Sequence, residues 1–361
     1  MENKFNVRLE NLPAEIWRMV SEIDEYKGRW IAGAQLNPQV LGRLKRSVLI
    51  TSTGASTRIE GSKLSDEDIE KMMRGIDIQK FADRDKQEAR GYYELLENVF
   101  NSWKSLNLSE NTVKHFHGEL LKYAVKDEEH RGEYKKQDNK VIMVNGAGQS
   151  VGVLFDTASV HLTPKKMQEL AEWAQVAFKE KKYHPLLIIA NFIIEFLAIH
   201  PFRDGNGRLS RILANLLLLK SGYQYAPYVS HEKLIEDNKP EYYLSLRRSQ
   251  KTFLSAETLK REGKAPKENI IPWLEFFFGI VLKQSRMAID LLSRENIEKL
   301  FSPKQLEVWE YFQQANEATP AQIAAATGIA RPTLNQSLDK LLRLKKIERL
   351  GQGRATRYRK I

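Results

Sequence analysis

Cysteine is absent from the chain. This removes disulfides, thiolate metal centres and a cysteine nucleophile, and it agrees with a reducing, cytoplasmic setting. Long apolar runs are missing too. The most hydrophobic stretch, Leu186 to Ile199, is interrupted by Asn191 and Glu195 and falls short of the ~20 residues that a membrane span needs. The opening residues, MENKFNVRLENLPAEI, have no apolar centre and do not read as a signal peptide. Glycine is sparse, 20 of 361 residues, while hydrophobic residues make up 42%, which is a globular composition rather than a disordered or fibrous one. The expectation is a soluble cytoplasmic protein without a membrane partner, long enough for two or three domains.

Charge is unevenly spread. The formal net charge is +11, and residues 302–361 hold 11 Lys and Arg against 5 Asp and Glu. A basic terminal module is thereby expected, and nucleic acid is one possible partner for it. Within it, Ser302-Pro303-Lys304-Gln305 and Thr319-Pro320-Ala321-Gln322 read as capped helix starts. A third helix is expected from Arg331, followed by a basic hairpin around Gly351 and Gly353. Three short helices and a hairpin make a winged helix-turn-helix. Arg331, Thr333, Asn335, Gln336 and Lys340 are its candidate groove or phosphate contacts. Arg354, Arg357, Arg359 and Lys360 line its wing. Protein docking or homodimer formation is the alternative use of such a module.

The first 300 residues are dominated by helical patterns. Apolar spacings of three and four predict helices over 65–75, 85–103 and 109–124. Thr163-Pro164 reads as an N-cap and first-turn proline of a helix to about Lys181. Pro185–Ile199 and Leu209–Leu219 are apolar on nearly every side and are expected at the centre of a domain. A long closing helix is read over 266–292. Convincing strands flank only Asn145-Gly146, namely 141–144 and 151–155, and predict a β-hairpin.

The segment HPFRDGNGRLSR, His200 to Arg211, joins the two buried helices and carries the chemistry. Gly205 and Gly207 let a ligand approach the backbone. A helix starting near Asn206–Arg208 leaves free N–H groups and the positive end of its dipole facing out of the loop, an anion cradle. Arg208 and Arg211 add guanidinium donors suited to phosphate oxygens. Asp204 is a hard carboxylate suited to hold Mg2+ against those phosphates. His200 is a natural general base near neutral pH.

These residues resemble the signature of the Fic (filamentation-induced-by-cAMP) family, His-x-Phe-x-Asp/Glu-Gly-Asn-Gly-Arg-x-x-Arg, at every defined position. The resemblance implies a mainly α fold, a Fic-type helical bundle with a β-hairpin flap, here followed by the winged helix-turn-helix. It implies a protein adenylyltransferase that moves AMP from ATP, with Mg2+, onto a Ser, Thr or Tyr hydroxyl and releases pyrophosphate. By the same resemblance His200 is the catalytic base and Asp204 the metal ligand. Gly205, Asn206, Gly207, Arg208 and Arg211 grip the nucleotide, and Phe202 anchors the loop in the core. A relative that phosphorylates its target has Lys at the place of Gly207, so Gly207 favours attack on the α-phosphate.

Further segments resemble family positions. HFHGELL (115–121) and HRGEY (130–134) lie upstream of the flap, and Tyr242 and Tyr243 fall where the adenine is expected. The hairpin over 141–155 corresponds to a flap that pins the target protein by strand addition. Ser56-Thr57-Arg58-Ile59-Glu60-Gly61 resembles the family's inhibitory motif, in which the Glu, here Glu60, lies on a helix and pairs with the second arginine, here Arg211. The implied domains are 1–110 with the inhibitory helix at about 45–61, the catalytic core 111–260, a closing helix 261–301 and the winged helix 302–361. Two other functions stay open: a nucleotide-sensing, DNA-binding transcription regulator, and removal of AMP from a modified target.

Overall fold

The computed structural model describes residues 4–33, 38–75, 83–144, 150–261, 269–300, 302–344, 346–351, 353 and 356–361. The protein is mainly helical and divides into two compact units, Met1–Ile289 and Asp290–Ile361. Helices α1 (Lys4–Val7), α2 (Ala14–Gly33), α3 (Pro38–Ile59), α4 (Asp66–Met73), α5 (Arg84–Ser102) and α6 (Glu110–Leu120) precede the hairpin β1 (Lys140–Val144) and β2 (Ser150–Asp156). Helices α7 (Thr163–Glu180), α8 (Pro185–Ile199), α9 (Asn206–Lys220), α10 (His231–Glu236), α11 (Lys239–Arg261) and α12 (Ile271–Leu300) follow, and the division between the units falls inside α12.

The centre of the first unit is the antiparallel pair α8 and α9. Thirteen of the fifteen residues of each are buried, as expected for helices apolar all round. Polar residues inside them have specific partners. Asn191 donates to the Phe5 carbonyl at 2.9 Å, and the Glu195 carboxylate receives Lys4 Nζ at 2.8 Å and Arg8 Nη1 at 2.6 Å. The residues that break the apolar run are therefore the dock for α1 and the turn after it. Phe5 completes that dock against Trp173, ring centres 5.1 Å apart. On another side Trp273 of α12 donates its indole N–H to the Ala190 carbonyl at 2.8 Å.

Four expectations are corrected in detail. Thr163 lies inside the first turn of α7, because its hydroxyl donates to the Ser159 carbonyl at 2.9 Å instead of capping. Helix α6 stops at Leu120, where the chain turns with Leu121 N–H on His117. The closing helix begins at Ile271, whose N–H is capped by the Asn269 side chain at 3.0 Å, and it runs on to Leu300. Helix α3 ends at Ile59, so Glu60 stands in the turn just past it; Gly61, at φ +104°, reverses the chain there.

The hairpin pairs Val141 with Phe155 and Val144 with Ser150, with irregularities in the ladder; its tip, 145–149, lies outside the described residues. In the second unit α13 (Pro303–Gln314), α14 (Pro320–Thr327) and α15 (Arg331–Arg343) pack around Val308, Phe312, Ile323, Leu334 and Leu338. Reciprocal capping boxes join Ser302 to Gln305 and Thr319 to Gln322, as their sequence implies. Strands β4 (Ile347–Leu350) and β5 (Arg357–Lys360) pair, and a two-residue β3 (Glu317–Ala318), too short to leave a pattern in the sequence, pairs with the other edge of β5.

The Glu195 cluster yields a stability prediction. Burial would raise the Glu195 carboxyl, but Arg8 and Lys4 overcome it and hold the group down at about 2. A carboxyl depressed in the fold stabilises fully above its ordinary value, 4.5, and loses that contribution as pH falls through 2. Arg8→Met leaves the buried charge with Lys4 alone and should cost about 3–5 kcal/mol in urea unfolding at pH 7. The gap to wild type should narrow as pH approaches 2, whereas a gap independent of pH would exclude the ion pair as its source.

Candidate active site

The loop from His200 to Gly205 is fixed at both ends by buried helix. His200 closes α8 in the left-handed region, φ 50° and ψ 61°, which costs a non-glycine residue on the order of 1–2 kcal/mol. Gly205, at φ 76°, opens α9. The Asn206 side chain donates to the Phe202 carbonyl at 2.8 Å and accepts the Phe202 N–H at 3.0 Å, closing the loop on itself. Phe202 is fully buried and stacks on the His117 ring at 3.8 Å, nearly parallel.

His117 is itself held on both sides. Its Nδ1 accepts the Gly132 N–H at 3.0 Å, so the proton sits on Nε2, which donates to the Asp204 carbonyl at 3.1 Å. Burial pushes this imidazole down to about 4, keeping it neutral. The two segments around 115–121 and 130–134 thus meet beneath the loop.

Lys135 is a residue that the sequence reading missed. Its N–H donates to the Pro201 carbonyl at 2.8 Å, and its ammonium reaches the Ile199 carbonyl, Asn139 and Thr157. Asn139 in turn donates to the Phe202 carbonyl at 3.1 Å. The base of the hairpin is therefore tied directly to the loop that carries His200. Burial lowers the Lys135 ammonium to about 8. Its only trace in the sequence is its place just after HRGEY.

At the entrance of α9 no side chain caps the helix, so first-turn N–H groups face outward with the dipole. Arg208 and Arg211 are both about 2% exposed and each is held by carboxylate. Arg211 donates to Ser56 Oγ at 2.8 Å, to the Ser56 carbonyl at 3.0 Å and to Glu60 Oε1 at 2.7 Å. Its Nη1, though buried, finds no acceptor among the described residues. Burial would lower Arg211, but Glu60 outweighs it and raises its pKa. The Glu60 carboxylate lies across Gly207, where a Cβ would come within 2.3 Å of Oε1.

Glu60 is aimed by Arg58. This guanidinium grips Glu236 of α10 through Nε at 2.5 Å and Nη2 at 3.1 Å, and its Nη1 reaches Asp66 and the Leu64 carbonyl. The end of α3 is thus bolted in place two residues before Glu60.

His200 is neutral at physiological pH: burial pushes it down to about 4, the Lys135 ammonium adds to this, and Leu197, Glu60 and Asp204 pull more weakly the other way. Asp204 stays ionised. Burial would raise it, but Arg208, the Gly205 N–H and Arg84 hold it below the usual carboxylate range. Oxygens of Asp204, Glu88 and Asp127 all lie within 4.8 Å of one another, a hard donor set whose chemistry fits a divalent cation. Arg84, Glu88 and Asp127 left no signal in the sequence, because α5 and the turn 125–130 meet the loop only in the fold.

Among the other expected residues, Tyr242 lies against Arg211 and Ser210 and is enclosed by Tyr243, Trp273 and Phe276. The Tyr243 hydroxyl donates to the Ile59 carbonyl at 3.3 Å. Both therefore border the Glu60 end of the site. In the second unit Arg331, Asn335 and Gln336 are exposed and Thr333 is half-buried. Lys340 donates to Gln305, Arg357 pairs with Glu317, Arg359 with Glu348, and Lys360 donates to Gln313. Arg354 lies outside the described residues.

Residues 107–218 match the Fic/DOC family. The chain is 25% identical over 260 residues to a probable protein adenylyltransferase of Aquifex aeolicus, covering 69% of this chain and 71% of that one. It is 44% identical over 66 residues to a Fido domain-containing protein of Dictyostelium discoideum, 18% of this chain and 42% of that protein. The fold is similar to a Fic family protein from Desulfovibrio desulfuricans, with a TM-score of 0.59 and 23% identity over 97% of each chain. It is also similar to Fic-1 of C. elegans, with a TM-score of 0.59 and 18% identity over 78% of this chain and 74% of that one. The chain carries a Fic domain, and the loop from His200 to Arg211 lies within it.

Proposed function

We propose that the protein is an adenylyltransferase that moves AMP from ATP onto a hydroxyl of a target protein and, in the ground state described, is held off by Glu60. One observation carries the reading: a neutral, half-buried imidazole stands beside a helix entrance whose two buried guanidiniums are neutralised by carboxylates. Such an entrance suits a polyanion. The relatives named adenylyltransferases favour ATP as that polyanion.

The chemistry follows from the residues. His200 takes the proton of the target hydroxyl as its oxygen attacks the α-phosphorus. The bond from that phosphorus to the bridging oxygen breaks, and pyrophosphate leaves. Arg208 and Arg211 orient the triphosphate, with the unpartnered Nη1 of Arg211 one donor available to it. Asn206 acts by shaping the loop, since its side chain is committed to Phe202. Asp204 would hold Mg2+, which when bound offsets charge on the phosphates. The hairpin, tied to the loop through Lys135, would receive the target as an added strand and bring its hydroxyl to His200.

Glu60 opposes this by occupying Arg211 and by placing negative charge beside Gly207, where phosphate must lie. Its carboxylate is 37% exposed, so solvent screens the pair and a competing anion can displace it. We read the second unit as a winged helix that localises or pairs the enzyme through protein contacts. Its described wing cations already have partners within the module.

Three outcomes are expected. With radiolabelled ATP, Glu60→Gly should raise self-labelling at least tenfold, and adding His200→Ala should abolish it; equal labelling of wild type and Glu60→Gly would remove the brake. In the Glu60→Gly protein, kcat/KM should stay level from pH 8 to 5, because the free enzyme's His200 protonates only near 4. An unperturbed imidazole near 6.5 would lose about thirtyfold over the same range, and such a loss would reject a base with a lowered pKa. Fluorescence anisotropy with duplex DNA should give no affinity tighter than the ~10⁻⁴–10⁻⁶ M of non-specific binding; tighter, steeply salt-dependent binding would restore the DNA reading.

A further inference from the structure

Arg84, the first residue of α5, reaches across to the catalytic loop and touches three carboxylates at once. Its Nε donates to Glu88 at 2.7 Å, and its Nη2 lies 2.6 Å from Asp204 and 3.3 Å from Asp127. The three acids come from different elements: Glu88 from α5, Asp127 from the turn 125–130 and Asp204 from the loop. Asp127 is the unusual member. It is 7% exposed, and its Oδ2 makes no hydrogen bond; Nη2 of Arg84, 3.3 Å away, is its ion-pair neighbour. A buried carboxylate oxygen without a hydrogen-bond donor is costly unless a cation completes its environment.

We propose that Glu88, Asp127 and Asp204 form a three-carboxylate seat for a divalent cation, and that the Arg84 side chain is a removable plug in it. Arg84 is 49% exposed and can swing into solvent without opening the core. Arg208 cannot, being 2% exposed and bound to both Glu88 and Asp204. With Arg84 withdrawn, three carboxylates face one guanidinium, leaving two negative charges, which one divalent ion balances. Oxygens within 4.8 Å of one another need to close by only about an ångström to meet a cation that binds oxygens at 2.0–2.6 Å. The seat deepens the proposed function, resting on Asp204 as the metal ligand of that reading. It makes nucleotide-independent metal affinity depend on a residue outside the signature loop.

The test is titration of the full-length protein with Mn2+ alone, without nucleotide, following free Mn2+ by electron paramagnetic resonance. Arg84→Ala should bind one Mn2+ at least tenfold more tightly than wild type. Adding Asp127→Asn should erase the gain. Because Asp127 is buried, Arg84→Ala/Glu88→Gln is measured alongside, and melting curves identify any variant that has not folded. No gain in Arg84→Ala, or a gain that survives loss of Glu88 in a folded protein, overturns the seat. Self-labelling by Glu60→Gly reads the transferase separately. Labelling without a Mn2+ gain discards the seat alone, and a Mn2+ gain without labelling discards the transferase alone.

Discussion

Two helices buried on every side can be joined only by a turn whose polar groups find partners without water, and the site grows out of that constraint. The six residues between α8 and α9 must reverse the chain at the surface of an apolar core. They do so with a left-handed His200, a left-handed Gly205 and an asparagine that saturates both backbone groups of Phe202. Lys135 saturates the carbonyls of Ile199 and Pro201 from outside. What is left over is the set of first-turn N–H groups of α9, aimed away from the core. The position of His200 and the outward N–H groups of α9 are two consequences of one solved turn.

Charge is balanced in a way that anticipates exchange. Arg208 and Arg211 are too deeply buried to stand alone, and each is paired with a carboxylate carried by an element outside the loop, Glu88 on α5 and Glu60 beyond α3. On the proposed reading a triphosphate would bring its own negative charge to the same donors, and binding would be a replacement of one anion by another rather than the desolvation of a free ion. Such a site is stable before its ligand arrives, and the strength of each resident pair sets how readily it yields.

Much of this was legible from residue order. Signature residues carry their geometry with them: glycines mark the tight backbone, an asparagine at the helix start closes the loop, and arginines one turn apart reach the same anion. Helices α8 and α9 were readable because they are apolar all round, and the hairpin because of its apolar, β-branched strands and the Asn-Gly between them. The segment around Glu60 was singled out only through likeness, and its placement on a helix was off by one residue because the chain turns at Gly61. Arg84, Glu88 and Asp127 left no trace, and Lys135 little beyond its place after HRGEY, since a charged residue on a helix or turn looks solvated until the fold supplies its partner. The polar pair Asn191 and Glu195 was visible as an interruption, but its reason, the docking of α1, depends on a contact more than 180 residues away in the chain.

Gly207 shows how, on the proposed reading, the same small loop would serve both catalysis and restraint. A Cβ at this position would lie 2.3 Å from the Glu60 carboxylate and 3.4 Å from the Arg211 guanidinium, so the absence of a side chain is what lets an anion lie over the first turn of α9. The void does not distinguish between anions. A carboxylate supplied by the chain and a phosphate supplied by solution meet the same backbone and the same arginine, and both cannot be present. The proposed restraint would therefore need no separate conformational state. It requires only that the carboxylate be delivered at the right height, and the grip of Arg58 on Glu236, together with the reversal at Gly61, delivers it.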